Sequence, residues 1–285
     1  LSDGSLTDAS WPWGGGARSL QLQRHIGAAD RDFDLTAPSL SAEQIETFRR
    51  DGFVVARGAY SQVEVQRFAD WSEELVAMPE APGRQWVYWE ESRREPGTKI
   101  VCRIENICPF HGGFSALGGS MRPAVGHLLG DEAVLFKEKI NFKYPGADGF
   151  KPHQDSQAGW DTYADFFISA LVSIDRATVE NGCLQVSAGQ HRRGLFRSWE
   201  PLSEADMAGM AFVPCPTEPG DIIFFDSFAP HASEPNLSDS MRRIYFATYN
   251  KKSAGDHLAQ YYADKYKNYP PDIEREAGKT YVFRV

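Results

Sequence analysis

Three side chains in two distant segments could hold one metal ion. His153 and Asp155 form an H-x-D, and in extended backbone residues i and i+2 project to the same side, so an imidazole and a carboxylate can meet one ion. A third ligand has to come from another strand. His231, just beyond the apolar run Ile222 to Phe225, is placed to supply it. Two imidazoles and a carboxylate on one face of an octahedral ion leave three positions for a co-substrate and O2, which is the ligand set of non-haem Fe(II) oxygenases. Zinc favours a closed four-coordinate site, often with thiolate, and no Cys lies in either segment. An H-x-D alone is a weak signal in a chain with seven His. Its context strengthens it: His231 is followed by Ser233 and, further along, Arg242, whose guanidinium offers a bidentate fork to a terminal carboxylate while the serine adds a hydroxyl donor.

The elements that must position these groups are mostly short strands. From about residue 85 the apolar period is two, in runs at Trp86 to Trp89, Ile100 to Ile104, Leu135 to Tyr144, Phe166 to Ile174, Leu184 to Ser187, Ile222 to Phe225 and Arg243 to Tyr249. Pro145-Gly146 and Pro219-Gly220 punctuate them. Helices gather at the front: Ser41-x-x-Gln44 and Ser61-x-x-Glu64 are capping boxes, and Gly52 is placed to end the first helix. Only 115–130 and 201–210 offer helical segments between strands, so a parallel α/β sheet is disfavoured. The pattern predicts a mainly β protein, a jelly roll or double-stranded β-helix with flanking N-terminal helices. An irregular arm is expected over 1–40, then one domain over 41–285: a helical layer at 41–80, a barrel at about 85–250, and a C-terminal helix near Asp256 to Tyr266 with a tail.

Composition narrows the function classes. With 42% hydrophobic residues, 18 Phe, 11 Tyr and 7 Trp in 285 residues, the chain has ample material for a packed core. Lys and Arg number 30 against 39 Asp and Glu, and they are scattered, so no basic face suits nucleic acid. No apolar run has bilayer length, and Leu1 to Ser10 lack signal-peptide character. The four cysteines form no C-x-x-C and read as reduced thiols. A soluble cytoplasmic protein acting on a small molecule, without nucleic-acid or membrane partners, is the expectation.

At this point the residues resemble a known group. The segments KINFKYPG (139–146), PHQD (152–155), ISALVSIDRATVENGCLQVSAGQH (168–191) and PGDIIFFDSFAPHASEPNLSDSMRR (219–243), with the strand IYFATYN after them, resemble the phytanoyl-CoA dioxygenase family of Fe(II)/2-oxoglutarate oxygenases, which includes ectoine hydroxylase. The resemblance spans residues 135–250 and leaves 1–40 unmatched. It implies that His153, Asp155 and His231 hold Fe(II), and that Arg242 and Ser233 grip the distal carboxylate of 2-oxoglutarate. Asn141 and Ser169 fall where the family contacts that co-substrate, and Trp160 resembles an aromatic that walls the site. The implied reaction couples oxidative decarboxylation of 2-oxoglutarate by O2, giving succinate and CO2, to hydroxylation of a substrate C–H bond. Asp155 speaks against the halogenating variant, which lacks the carboxylate. Within the family, HQDSQAGW together with GDHLAQYYADKYKNYPPDIERE most resembles bacterial members that act on 2-aminoethylphosphonate.

Other candidates carry two readings each. Arg103, Glu105 and Asn106 make one face of their strand polar, either an exposed edge or a lining of the barrel mouth. Lys137, Lys139 and Lys143 alternate unevenly with apolar neighbours and fit either pocket lining or solvent. Arg103, Lys137 and Gln157 would border the mouth and supply cation and amide to a small anionic or zwitterionic substrate, with 2-aminoethylphosphonate the leading named case. The Asn181-Gly182 pair reads as a turn, and His191, His111, His127 and His257 as structural or surface residues. Rival functions are the same chemistry on a lipid, acyl-CoA or secondary metabolite, a zinc or manganese cupin, and a jelly-roll binding protein without turnover.

Overall fold

The structure is a computed structural model that describes residues 35–281. Most of the expected arm over 1–40 lies outside the described residues, and 35–40 form no regular element. Both capping boxes form. Helix α1 (Ala42–Asp51) starts at Ser41 and stops at Gly52, whose φ of 83° is the left-handed cap that glycine adopts without strain. Strand β1 (Phe53–Ala56) follows, and helix α2 (Gln62–Ala77) starts at Ser61 with Glu64 closing the box. Helices α3 (Gly112–Ser120) and α4 (Arg122–Leu129) occupy the predicted 115–130 stretch. The 201–210 segment folds as turns instead of a helix: Ser203 and Asp206 bond reciprocally as at a helix start, but Gly209, with a φ of 78°, breaks the segment within two turns.

The strands build two facing antiparallel sheets. They are β2 (Trp86–Glu91), β3 (Lys99–Glu105), β4 (Ala133–Lys143), β5 (Phe150–His153), β6 (Phe167–Ser173), β7 (Leu184–Val186), β8 (Val213–Pro214), β9 (Ile222–Asp226), β10 (His231–Ser233) and β11 (Arg242–Lys251). One sheet has the order β1-β9-β6-β11-β4-β3-β2 and the other β5-β10-β7-β8. Four central strands of the larger sheet, β9-β6-β11-β4, face the four of the smaller one, which is the jelly-roll arrangement. Helix α5 (Leu258–Asn268) closes the β2-β3-β4 end of the barrel, with Tyr261 and Tyr262 buried.

Side-chain alternation in the large sheet divides core from site. Along β11, Tyr245, Ala247 and Tyr249 join β4 residues Ile140 and Phe142 in a core shared with α2, α3 and α4. The opposite face, with Leu171, Ile223, Phe225 and Ile244, meets Leu184 and Val186 of the small sheet. The uneven alternation of β4 has a local cause: its pairing with β11 jumps from Lys137↔Thr248 to Leu135↔Tyr249. The residue skipped, Phe136, turns into a second aromatic cluster with Trp160, Phe167 and Tyr261. Beyond the bulge, Lys137, Lys139, Asn141 and Lys143 share one face, the one turned to the barrel interior.

Strand β3 corrects one expectation. Its polar face is not an exposed edge: Arg103 and Glu105 are both buried, because β2 extends the sheet and α5 covers it. The Arg103 Nε lies 2.8 Å from Glu105, and Lys265 of α5 reaches the other carboxylate oxygen. Burial alone would raise the Glu105 pKa, but Lys265 and then Arg103 hold it down at about 2.

Candidate active site

Two strands that the apolar pattern does not reveal carry two of the predicted ligands. Strand β5 ends at His153, strand β10 begins at His231, and the two histidines are partners across the antiparallel ladder. Both segments are short and polar, so period-two alternation has too little length to register. Asp155 opens a 3-10 turn, Asp155–Ala158, directly after β5. The ring centroids of His153 and His231 are 4.2 Å apart, and their Nε2 atoms lie 3.9 and 3.8 Å from Asp155 Oδ1. One potential ligand atom from each residue lies within 4.8 Å of the others, a grouping that could hold a metal ion.

Each histidine is oriented by its own backbone. The Nδ1–H of His153 donates to the Lys151 carbonyl at 2.7 Å, and that of His231 donates to the Ala229 carbonyl at 3.0 Å. A carbonyl can only accept, so Nδ1 carries the proton and Nε2 keeps its lone pair for a metal. Burial pushes both imidazole pKa values down, which favours the neutral, ligating form. Asp155 is held below the ordinary carboxylate range: burial opposes ionisation, but His231 and Lys137 outweigh it. The Ser169 hydroxyl donates to Asp155 Oδ2 at 3.1 Å and is 2.8 Å from the Thr248 hydroxyl, which must then donate to it. Ser169 therefore braces the carboxylate from behind.

A cavity of about 40 Å³ contains this trio and also Lys139, Asn141, Ser233 and Arg242. Arg242 is buried, and burial lowers its pKa to about 10, still well above neutrality. Its Nε and the Oδ1 of Asn141 have no hydrogen-bond partner among the described residues. The Arg242 Nε–H is an orphaned donor that a carboxylate can meet, so a carboxylate-bearing molecule fits the cavity, whereas Asn141 Oδ1 is an acceptor and needs a donor. The donor set also fits iron: two neutral imidazoles and one carboxylate, with no thiolate among them. A second cavity, about 210 Å³, adjoins the first through Asn141, Phe150 and Arg242 and is lined in addition by Arg103, Lys143 and Tyr88.

Several predicted residues sit elsewhere. Gln157 does not face a substrate: it is fully buried, its carbonyl oxygen accepts from the Gln154 N–H at 2.7 Å and its amide donates to the Glu200 carbonyl at 2.7 Å. Trp160 does not wall the cavity. It is buried in the aromatic cluster, with the Lys137 ammonium 4.4 Å above its ring. Arg103 lines only the second cavity, packed 4.4 Å over Tyr88. His191 lies against Gly52, where its Nε2 is 3.3 Å from the Arg49 carbonyl, and His111 caps α3 by accepting from Phe114.

Sequence reasoning left Lys139 undecided between pocket and solvent, and the structure puts it in the cavity. Burial, then Lys137 and Arg103, lower its pKa to about 7. The Gln154 side chain between the two ligands was also missed. It ties their loop to the β7–β8 connection, donating to the Gly194 carbonyl and accepting from the Phe196 N–H, and to the β9–β10 connection, donating to the Phe228 carbonyl.

Comparison with known proteins agrees with this geometry. The model of the phytanoyl-CoA dioxygenase family matches residues 48–244. A 2-aminoethylphosphonate dioxygenase from an uncultured bacterium, HF130_AEPn_1, is 38% identical over 244 residues, covering 84% of this chain and 92% of its own. A methylphosphonate hydroxylase from Gimesia maris is 35% identical over 235 residues, covering 81% and 88%. The crystal structure of EctD from S. alaskensis with 2-oxoglutarate and 5-hydroxyectoine shares the fold, with a TM-score of 0.66, 24% identity, and 78% and 82% of the two chains covered. The chain belongs to the phytanoyl-CoA dioxygenase family, and is thereby an Fe(II)-, 2-oxoglutarate- and O2-dependent dioxygenase.

Proposed function

We propose that the enzyme hydroxylates a C–H bond of a small phosphonate, with 2-aminoethylphosphonate the first candidate, releasing succinate and CO2. In this reading His153, Asp155 and His231 hold the iron, while Arg242, Ser233 and Asn141 hold 2-oxoglutarate. Iron bound there supplies the oxidative decarboxylation of 2-oxoglutarate and the activation of O2 for attack on the C–H bond. The protein orients and excludes water. Backbone carbonyls aim the two Nε2 atoms, Ser169 fixes the carboxylate, and the Arg242 guanidinium meets a terminal carboxylate in a site where water cannot screen it.

The observation that carries the substrate class is the state of two lysines beside the ligand trio. Lys137 has aromatic rings as its contacts, Trp160 and Tyr261, and Lys139 has Phe150 and Phe246. Neither ammonium has a hydrogen bond or an ion pair among the described residues. Burial lowers the pKa of both lysines and Asp155 and Glu105 only partly offset it, so an anion bound beside them would keep them protonated, and a phosphonate supplies that charge. The two phosphonate-directed relatives support the same class. Charged residues in both linings, Lys139 and Arg242 in the first and Arg103 and Lys143 in the second, suit a small polar substrate.

Residues 41–285 are taken as one catalytic domain, because Lys265 of α5 ties the C-terminal segment to Glu105 of the barrel and α1 packs on β1. The four cysteines are free thiols, in keeping with a cytoplasmic location. No helix among the described residues is long and apolar enough to cross a membrane.

The test is succinate release from 2-oxoglutarate under Fe(II) and air, run with 2-aminoethylphosphonate, methylphosphonate, a free amino acid, ectoine and an acyl-CoA, with the product followed by phosphorus NMR. Phosphonates should stimulate turnover most and acquire a hydroxyl. Strongest stimulation by the acyl-CoA or by ectoine would overturn the reading.

A further inference from the structure

Lys143, the last residue of β4, lies opposite Arg242 in the sheet register. It is buried, and its ammonium makes three contacts: the Ser233 hydroxyl oxygen at 2.9 Å, the Glu234 carbonyl at 2.5 Å and the Gly182 carbonyl at 3.4 Å. Burial, then Arg242, lower its pKa to about 7, so the ammonium prevails below neutrality and when a carboxylate is bound nearby; in that form it has three donors and no acceptor, all three are used and Ser233 must accept. Among the described residues Ser233 has no other side-chain hydrogen bond, and it lines the cavity with the ligand trio. Its own hydrogen is therefore left to point into that cavity.

The local backbone is shaped around this contact. Gly182 has a φ of 73°, and a Cβ there would come within 2.1 Å of the Glu234 carbonyl oxygen and 2.8 Å of Lys143 Nζ. Only glycine tolerates both the dihedral and the approach. The Asn181-Gly182 turn is thus fitted to the buried ammonium as well as to the chain reversal. The Asn236 amide adds a further tie, donating to the Lys143 carbonyl at 2.8 Å.

Without the ammonium, the Glu234 and Gly182 carbonyls would lose the donor they share with Ser233, and the serine hydroxyl would be free to turn to them. The serine would then turn away from the cavity. We propose that Lys143 is a positioning residue of the co-substrate pocket: by satisfying the two carbonyls and donating to Ser233, it commits the serine hydrogen to the carboxylate that Arg242 binds. This rests on the reading that Arg242 and Ser233 hold 2-oxoglutarate.

The experiment is an anaerobic titration of the Fe(II)-loaded protein with 2-oxoglutarate, read by the visible charge-transfer absorption and by calorimetry. Wild type is compared with Lys143→Met, Ser233→Ala, the double variant, and Arg242→Lys as the control on the pocket itself. Lys143→Met and Ser233→Ala should each weaken 2-oxoglutarate by about tenfold, the scale of one hydrogen bond to a charged group. The double variant should bind no more weakly than Ser233→Ala alone, because Lys143 acts through the serine. Fe(II) affinity should be unchanged throughout. If Lys143→Met does not fold, Lys143→Gln, which keeps two donors without the charge, should bind between wild type and Ser233→Ala. Full additivity in the double variant, or undiminished binding in the Lys143 variants beside a weakened Ser233→Ala, overturns the role of Lys143 alone. Unchanged 2-oxoglutarate binding in both Ser233→Ala and Arg242→Lys overturns the pocket assignment and the role of Lys143 with it.

Discussion

Arg242 and Arg243 are adjacent on β11 and point to opposite faces of the sheet. Arg243 is committed on the helix side: its Nε and Nη2 donate to the two Asp175 carboxylate oxygens, at 2.8 and 2.9 Å, and its Nη1 donates to Glu73 at 2.7 Å. Arg242, on the barrel side, has no ion pair among the described residues, and its Nε has no hydrogen-bond partner. One arginine locks α2 to the sheet, and its neighbour is left for a ligand.

Arg242→Lys replaces a planar fork by a point charge. The affinity for 2-oxoglutarate should fall about ten- to a hundredfold, as expected for loss of a bidentate pair, while Fe(II) affinity holds. Equilibrium dialysis with labelled 2-oxoglutarate checks this. Arg243→Lys should instead lower the melting temperature and leave 2-oxoglutarate binding intact.

Replacing His153, Asp155 or His231 by Ala should abolish turnover and weaken Fe(II) binding in a protein that stays folded. These side chains line a cavity, so each contributes to metal affinity more than to packing. Metal content after desalting, together with circular dichroism, tests both halves. Undiminished iron in all three variants would sink the ligand assignment.

Lys137→Met and Lys139→Met should raise KM for the phosphonate about tenfold or more, since each removes a cation that makes no hydrogen bond or ion pair among the described residues, and 2-oxoglutarate consumption without substrate should persist. Arg103→Ala should act differently. Removing it leaves Glu105 with Lys265 as its remaining ion-pair partner and takes a guanidinium off the Tyr88 face, so stability should fall by about 3 kcal/mol, the scale of breaking a buried pair. Chemical denaturation beside steady-state kinetics separates the two classes.

Glu138 sits on the helix side of β4, where its Oε1 accepts the Ile107 and Cys108 N–H groups and its Oε2 has no hydrogen-bond partner among the described residues. Burial raises its pKa from 4.5 to about 7. A carboxyl whose folded pKa lies above its unfolded value binds the extra proton when folded. Its contribution is therefore greatest at low pH and is lost as pH rises from about 4.5 to about 7. Glu138→Gln keeps an acceptor for both N–H groups and cannot ionise. The variant should be more stable than wild type at pH 8 and close to it at pH 5, as read from urea midpoints at the two values. A difference that is the same at both pH values would contradict the assignment.

Much of the site was written locally in the sequence. The H-x-D spacing puts an imidazole and a carboxylate on one side of the chain, two capping boxes and Gly52 set the front helices, and period-two runs mark the long strands of the large sheet. Each of these depends on neighbours a few residues apart, and such signals survive without tertiary context. Other features depend on residues far apart in the chain, and only folding decided them. The pairing of His231 with His153 across β10 and β5 completes the ligand trio from strands too short to show a period. The bulge at Phe136 turns Lys137, Lys139 and Lys143 inward, where the sequence left pocket and solvent equally open. Coverage by β2 and α5 buries Arg103 and Glu105, which an isolated β3 would have exposed. Gln157 read as a lining of the barrel mouth and Trp160, by resemblance, as a wall of the site, yet the β7–β8 connection takes the glutamine's amide and Phe136 and Phe167 pack against the indole. Burial and partner choice are properties of the whole packed chain, and the nearest residues in sequence do not fix them.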